Sequence, residues 1–175
     1  MLEGMKWILF TGTWRLTDAR VEHDVRAMAK EVIQRGDGII TGGATGVDYF
    51  AMTEALAHDS SGKSLKVFLP TNLENYIHDY RTNWCKPPVT TQSIDALDVC
   101  LRKLQAARPE HLFALPYDGD ITQQHYNLRH NDEVAHSDEV YAFQANDSTG
   151  TQDTIDKARA AGLPIALHKQ YSIAE

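Results

Sequence analysis

The apolar runs of this chain are short, rich in β-branched residues and apolar at successive positions, and stretches with helical spacing separate them. A strand with one wet face alternates apolar and polar residues, whereas a strand covered on both faces does not. The pattern predicts an α/β fold: a parallel sheet of about five strands with helices on both faces. The strands are read at "KWILFT" (6–11), "GIIT" (38–41), "SLKVFLP" (64–70), "EVYAFQ" (139–144) and "LPIALH" (163–168). Val21, Val25, Met28 and Val32 mark a first helix, which Thr17 or Asp18 can cap. Val47, Ala51 and Ala55, with Phe50 beside them, mark a second, and Ile94, Leu97, Leu101 and Leu104 a third. Two more are expected from Thr122 towards His136 and from Thr151 to Ala161, the last ended by Gly162.

A chain of 175 residues suits one domain better than two, and no repeat or linker divides it. The expectation is a single domain over 1–175 with a helical insertion at about 72–124, where the polar "TNLENYIHDYRTNWCKPP" follows no clear period. Seventeen basic against 24 acidic residues give a net charge of -7, which weighs against general binding of nucleic acid. Cys85 and Cys100 lack the spacing of a zinc ribbon or a disulfide framework. "MLEGMKWILFTG" offers no adequate apolar core for a leader, and no run is long enough to span a membrane, so a cytoplasmic setting is expected.

Three polar, glycine-bearing loops leave predicted strand ends: "TGTWR", "TGGATG" and "NDSTGT". Ligands of such sheets sit beyond the carboxyl ends of the strands, where the strand order reverses. Gly42, Gly43, Thr45 and Gly46 join a strand to the first turn of a helix. Glycine there permits positive φ and close approach to main-chain N–H groups, and a helix start favours an anion. A packing turn uses the same residues, and both readings stay open. Gly12, Thr13 and Arg15 form either an anion-facing loop with a guanidinium fork or a turn with a solvated arginine. Asp48 either receives a ribose hydroxyl or stabilises its helix start. Ser148, Gly150 and Thr151 are a second phosphate-sized site or an ordinary cap.

The stretches "FTGTWRLTD", "ITGGATGVDYFAMTEAL", "RHNDEVAHSDEVYAF" and "NDSTGTQDTIDKARAAGLPI" together resemble the Rossmann-like superfamily that joins the DNA-processing protein A family with the LOG (lonely guy) phosphoribohydrolases. The resemblance spans the chain outside about 72–124. It implies a nucleotide-binding glycine loop at Gly42–Asp48, and it lifts phosphate contact above the simple turn there. Gly150 and Thr151 fit the LOG motif Pro-Gly-Gly-x-Gly-Thr-x-x-Glu. Asn146, Asp147 and Ser148 replace its Pro-Gly-Gly, and Thr154 stands in place of its catalytic glutamate. Arg129, nine residues before Asp138, falls where these proteins carry a functional arginine. Relatives often follow that arginine with asparagine, whereas here His130 precedes Asn131.

Two functions follow from the resemblance. One is binding of a nucleotide or an ADP-ribose-like phosphate ligand, as a sensor or regulatory module. The other is LOG-like hydrolysis of the N-glycosidic bond of a nucleoside monophosphate. The second needs an acid/base group that Thr154 cannot supply; Asp153, Asp48, Glu74 and Asp79 are the candidates. Single-stranded DNA handling is disfavoured by charge and by the lack of a basic, aromatic tract. No cofactor and no metal is expected: His125, His130 and His136 lie five and six residues apart and lack the helical zinc spacing. Ile94–Leu104 reads as core or as the interface of a homodimer.

Overall fold

The computed structural model describes residues 4–175; residues 1–3, part of the stretch read for a leader, lie outside it. Six strands form one sheet: β1 (Trp7–Gly12), β2 (Gly38–Thr41), β3 (Leu65–Leu69), β4 (Leu112–Ala114), β5 (Glu139–Ala145) and β6 (Ile165–Tyr171). Six α-helices connect them: α1 (Ala19–Gln34), α2 (Val47–His58), α3 (Leu73–Asp79), α4 (Thr91–Ala107), α5 (Gln123–Ala135) and α6 (Thr149–Ala160). The spatial order is β4-β3-β2-β1-β5-β6, and every pairing is parallel.

The successive apolar residues of the strands divide between two cores, as a sheet with two covered faces requires. Ile8, Phe10, Ile39 and Val67 pack with Val21, Val25 and Val32 of α1, Val47 and Ala51 of α2, and Leu97 and Leu101 of α4. Leu9, Ile40, Phe68, Val140 and Ala142 pack with Val134 of α5 and Ile155 and Ala158 of α6. Ile94, Leu97, Leu101 and Leu104 are therefore core, the first of the two uses the spacing allowed. The side chain of Asp18 caps α1, accepting from the amides of Arg20 and Val21 at 2.9 and 3.2 Å.

The strand count exceeds the expected five by β4. This strand has three residues, sits at the sheet edge beside β3, and leaves its aromatic Phe113 partly exposed. So short a run inside a polar segment has no period to read. The segment at 72–124 is thus mainly helical but also completes the sheet, and it contains a π-helical turn at Tyr80–Trp84. The chain runs outward from β1 to β4 and then returns to place β5 on the other side of β1. The strand order reverses between β1 and β5, so the crevice lies beyond Gly12 and Ala145.

Candidate functional site

A cleft with a cavity volume of about 120 Å3, half open to solvent, occupies that crevice. Its lining includes Phe10, Thr11, Gly12 and Trp14 from β1 and its loop, and Ala44 and Asp48 from the glycine loop and α2. Tyr80 and Trp84 enter from the π-helical turn, Gln123, Tyr126, Arg129, His130 and Glu133 from α5, and Gly150 and Thr151 from α6.

The three loops read from sequence behave differently. In the glycine loop four amides, those of Gly42 to Thr45, are already used: those of Gly42 and Ala44 donate to Asp48 Oδ2 at 3.2 and 3.1 Å. The Gly43 amide donates to Thr41 Oγ1 and the Thr45 amide to the Tyr80 hydroxyl, each at 3.2 Å. Gly43 and Gly46 have φ of 71° and 72°, and a side chain at either would collide with packed atoms: Leu69 and Val67 at Gly43, the Thr13 carbonyl at Gly46. Close packing therefore explains these glycines, and only Ala44 and Asp48 of this loop reach the cleft.

At the start of α6 the amides are open. Ser148 makes no capping bond, and the first-turn amides of Thr149, Gly150 and Thr151 find no acceptor among the described residues. A side chain at Gly150 would meet nothing within 4 Å. Asn146 and Asp147, at the first two positions of the resembled Pro-Gly-Gly, hold φ of 47° and 54°, a left-handed backbone that residues other than glycine seldom adopt. The α6 start thus presents free N–H donors and the positive end of its helix dipole at the cleft.

Arg15 turns aside: its guanidinium donates to the Pro87 carbonyl at 3.2 Å and lies over the Trp14 ring, outside the cleft. Thr13 is buried beneath, its amide bound to Phe143 O and its carbonyl to the Val47 amide. Asn131 is exposed and faces away, and His130 takes the cleft position beside Arg129. Ser148 receives the Thr151 hydroxyl bond at 3.2 Å and does not line the cleft.

Arg129 is 8 % exposed. Its Nη1 donates to the Gly42 carbonyl at 2.8 Å, and its Nε, buried and 3.6 Å from Glu133 Oε1, has no hydrogen-bond partner among the described residues. Burial pushes the Glu133 carboxyl up to about 8 despite the opposing pull of Arg129, and nearby Asp48 adds to the rise. Burial likewise lifts Asp48 to about 6, against Arg129 and the two loop amides. His130 is depressed to about 4, first by burial and then by the charge of Arg129, although its Nδ1 meets Asp153 Oδ2 at 2.8 Å. Glu133 is the residue the sequence reading missed; its one signal is helical spacing, four residues after Arg129 on α5. Of the four candidate carboxylates, only Asp48 lines the cleft. Asp153 pairs with Lys157 and His130, Glu74 with Arg102, and Asp79 accepts three hydrogen bonds inside the fold. The histidines are locally bonded: His125 with Thr122 and His136 with the Asp132 carbonyl. Among the described residues no group of three His, Cys, Asp or Glu could hold a metal, and no helix is long and apolar enough to cross a membrane.

No family model and no curated protein sequence matches the chain. Solved structures do. DNA processing protein A from Helicobacter pylori superposes with a TM-score of 0.66 at 19 % identity, over 97 % of this chain and 66 % of that one. The two chains share a Rossmann-like fold. DNA processing protein A from Streptococcus pneumoniae gives 0.61 at 14 % identity over 98 % of this chain, which spans 51 % of that protein. The molybdenum cofactor carrier protein from Chlamydomonas reinhardtii gives 0.57 at 16 % identity, over 96 % of this chain and 78 % of that one. This chain thus spans about half to two thirds of the length of the two DNA-processing proteins. The motif-based superfamily reading holds at the level of fold. The Helicobacter pylori structure is described by its single-stranded DNA binding mode, a partner that the sequence reading disfavoured for this chain on charge and on the lack of a basic, aromatic tract.

Proposed function

We propose that the cleft binds a nucleotide or a nucleotide-derived phosphate ligand, in a sensor or regulatory role. The observation that carries this reading is the open first turn of α6, whose unpartnered amides share the cleft with the buried cation of Arg129. A helix start and a guanidinium together favour a phosphate group. The glycine loop supports the site from below: Asp48 and Tyr80 hold its amides, and its Gly42 carbonyl holds Arg129. Homodimer formation and a cytoplasmic setting remain part of the proposal.

A thermal-shift screen with AMP, ADP-ribose, inorganic phosphate and short single-stranded DNA tests it. A ligand at a hundredfold excess over Kd stabilises the folded protein by about 2.7 kcal/mol. A shift with the phosphate compounds supports the reading. A shift with DNA alone, or with nothing, overturns it.

Glu133 gives the hydrolase reading a specific footing. Near neutral pH its carboxyl is mainly protonated and can donate to the leaving nitrogen of an N-glycoside, while ionised Asp48 can accept the proton of the attacking water. The water oxygen bonds to C1′ as the C1′–N bond breaks, releasing free base and the sugar phosphate. Thr154 takes no part; it is buried and donates to the Gly150 carbonyl. Chromatography of nucleoside monophosphates incubated with the protein separates the two readings. Base release that disappears in Glu133→Gln and Asp48→Asn establishes hydrolysis; no release leaves binding alone.

A further inference from the structure

We propose that the segment after β3 builds a subsite for a planar heteroaromatic ring, walled by Trp14 and Trp84, with Asp79 positioning the wall. This rests on the phosphate reading above and adds what lies at the other end of the ligand. Trp14 follows β1 and Trp84 ends the π-helical turn; their ring centroids are 5.4 Å apart at 86°, and both half-buried rings line the cleft. Tyr126 of α5 meets Trp84 edge-on at 6.4 Å and lines the same cleft.

What decides the chemistry of this wall is where its polar atoms go. Asp79 is 8 % exposed and accepts from Asn83 Nδ2 at 2.7 Å, Trp84 Nε1 at 2.9 Å and the Tyr126 hydroxyl at 2.7 Å. The indole N–H and the phenol are both consumed inside the fold. The Trp84 and Tyr126 rings therefore offer the cleft carbon surface with no free donor of their own, which suits stacking. A ligand that fits both ends carries a phosphate and a flat ring, as a nucleoside monophosphate does. The π-helical geometry of Tyr80–Trp84 also suits the assignment, since such turns recur at functional sites.

Calorimetric titration with AMP and with ribose 5-phosphate tests the wall. The parent protein should bind AMP about tenfold or more tightly than ribose 5-phosphate, the range expected for stacking one base. Trp84→Ala should erase that preference while keeping the affinity for ribose 5-phosphate, and Trp84→Phe, which retains a planar ring, should restore it. Asp79→Asn should reduce the preference without changing the binding of ribose 5-phosphate. Equal binding of the two compounds by the parent overturns the subsite and leaves the phosphate reading standing, whether or not the alanine variant folds. A preference unchanged in Trp84→Ala also overturns it. Binding of neither compound defeats the phosphate reading and the subsite with it.

Discussion

Arg129 reaches beneath the glycine loop, with Nη1 on the Gly42 carbonyl at 2.8 Å and Nε only 3.6 Å from Glu133 Oε1. One side chain thereby joins the helix before β5 to the loop after β2 and still turns a cation towards the cleft. Arg129→Ala removes a donor from Gly42 and leaves buried Asp48 without its neighbouring positive charge. The expected loss of stability is about 3 kcal/mol, measured by denaturant unfolding. A variant as stable as the parent would show that the buried guanidinium is not part of the frame.

Gly43 and Gly150 should answer oppositely to alanine. At Gly43 the added carbon runs into Leu69 and Val67 and the backbone is left-handed, so Gly43→Ala should lose roughly 1–3 kcal/mol. Gly150 has open space around it, and Gly150→Ala should be neutral or stabilising by up to about 1 kcal/mol. Equal melting temperatures for the two variants would contradict this division of roles.

Stability of the unliganded protein should fall as pH rises from about 6.5 to 8. The Glu133 carboxyl titrates near 8 in the folded protein, well above its unfolded value of 4.5. Across that interval the folded state holds the extra proton, so rising pH favours unfolding. Asp48, raised to about 6, completes the same kind of loss at lower pH, and His130, lowered to about 4, acts in the opposite sense below 6.5. The decline should be on the order of 2 kcal/mol and absent in Glu133→Gln. Parallel pH profiles for the two proteins would assign it elsewhere.

Most of the sheet was legible because its strands are continuous apolar runs between glycines, and Val21 to Val32 or Ile94 to Leu104 repeat at helical spacing. The site was legible only in part. Gly12, Asp48, Arg129, Gly150 and Thr151 do meet in one cleft. Gly42, Gly43 and Gly46 look from sequence like a phosphate cradle, yet their loop is closed by its own neighbours Thr41 and Asp48 and by Tyr80, which only the folded chain brings near. Trp84 and Tyr126 lie 42 residues apart, on either side of α4, and converge through Asp79. No local pattern announces such a convergence. Glu133 is hidden for a simpler reason: a glutamate four residues after an arginine is common on exposed helices, and burial is what makes this one unusual.

The central claim is that the open start of α6 receives a phosphate, and titration calorimetry of AMP into the parent and into Gly150→Asp tests it most directly. The aspartate adds a negative charge where the first-turn amides face the cleft, at a position with room for a side chain. The account predicts saturable binding by the parent and at least a tenfold loss of affinity in the variant, with the melting temperature of the unliganded protein unchanged. AMP binding of equal strength in both proteins, or none in the parent, would contradict it.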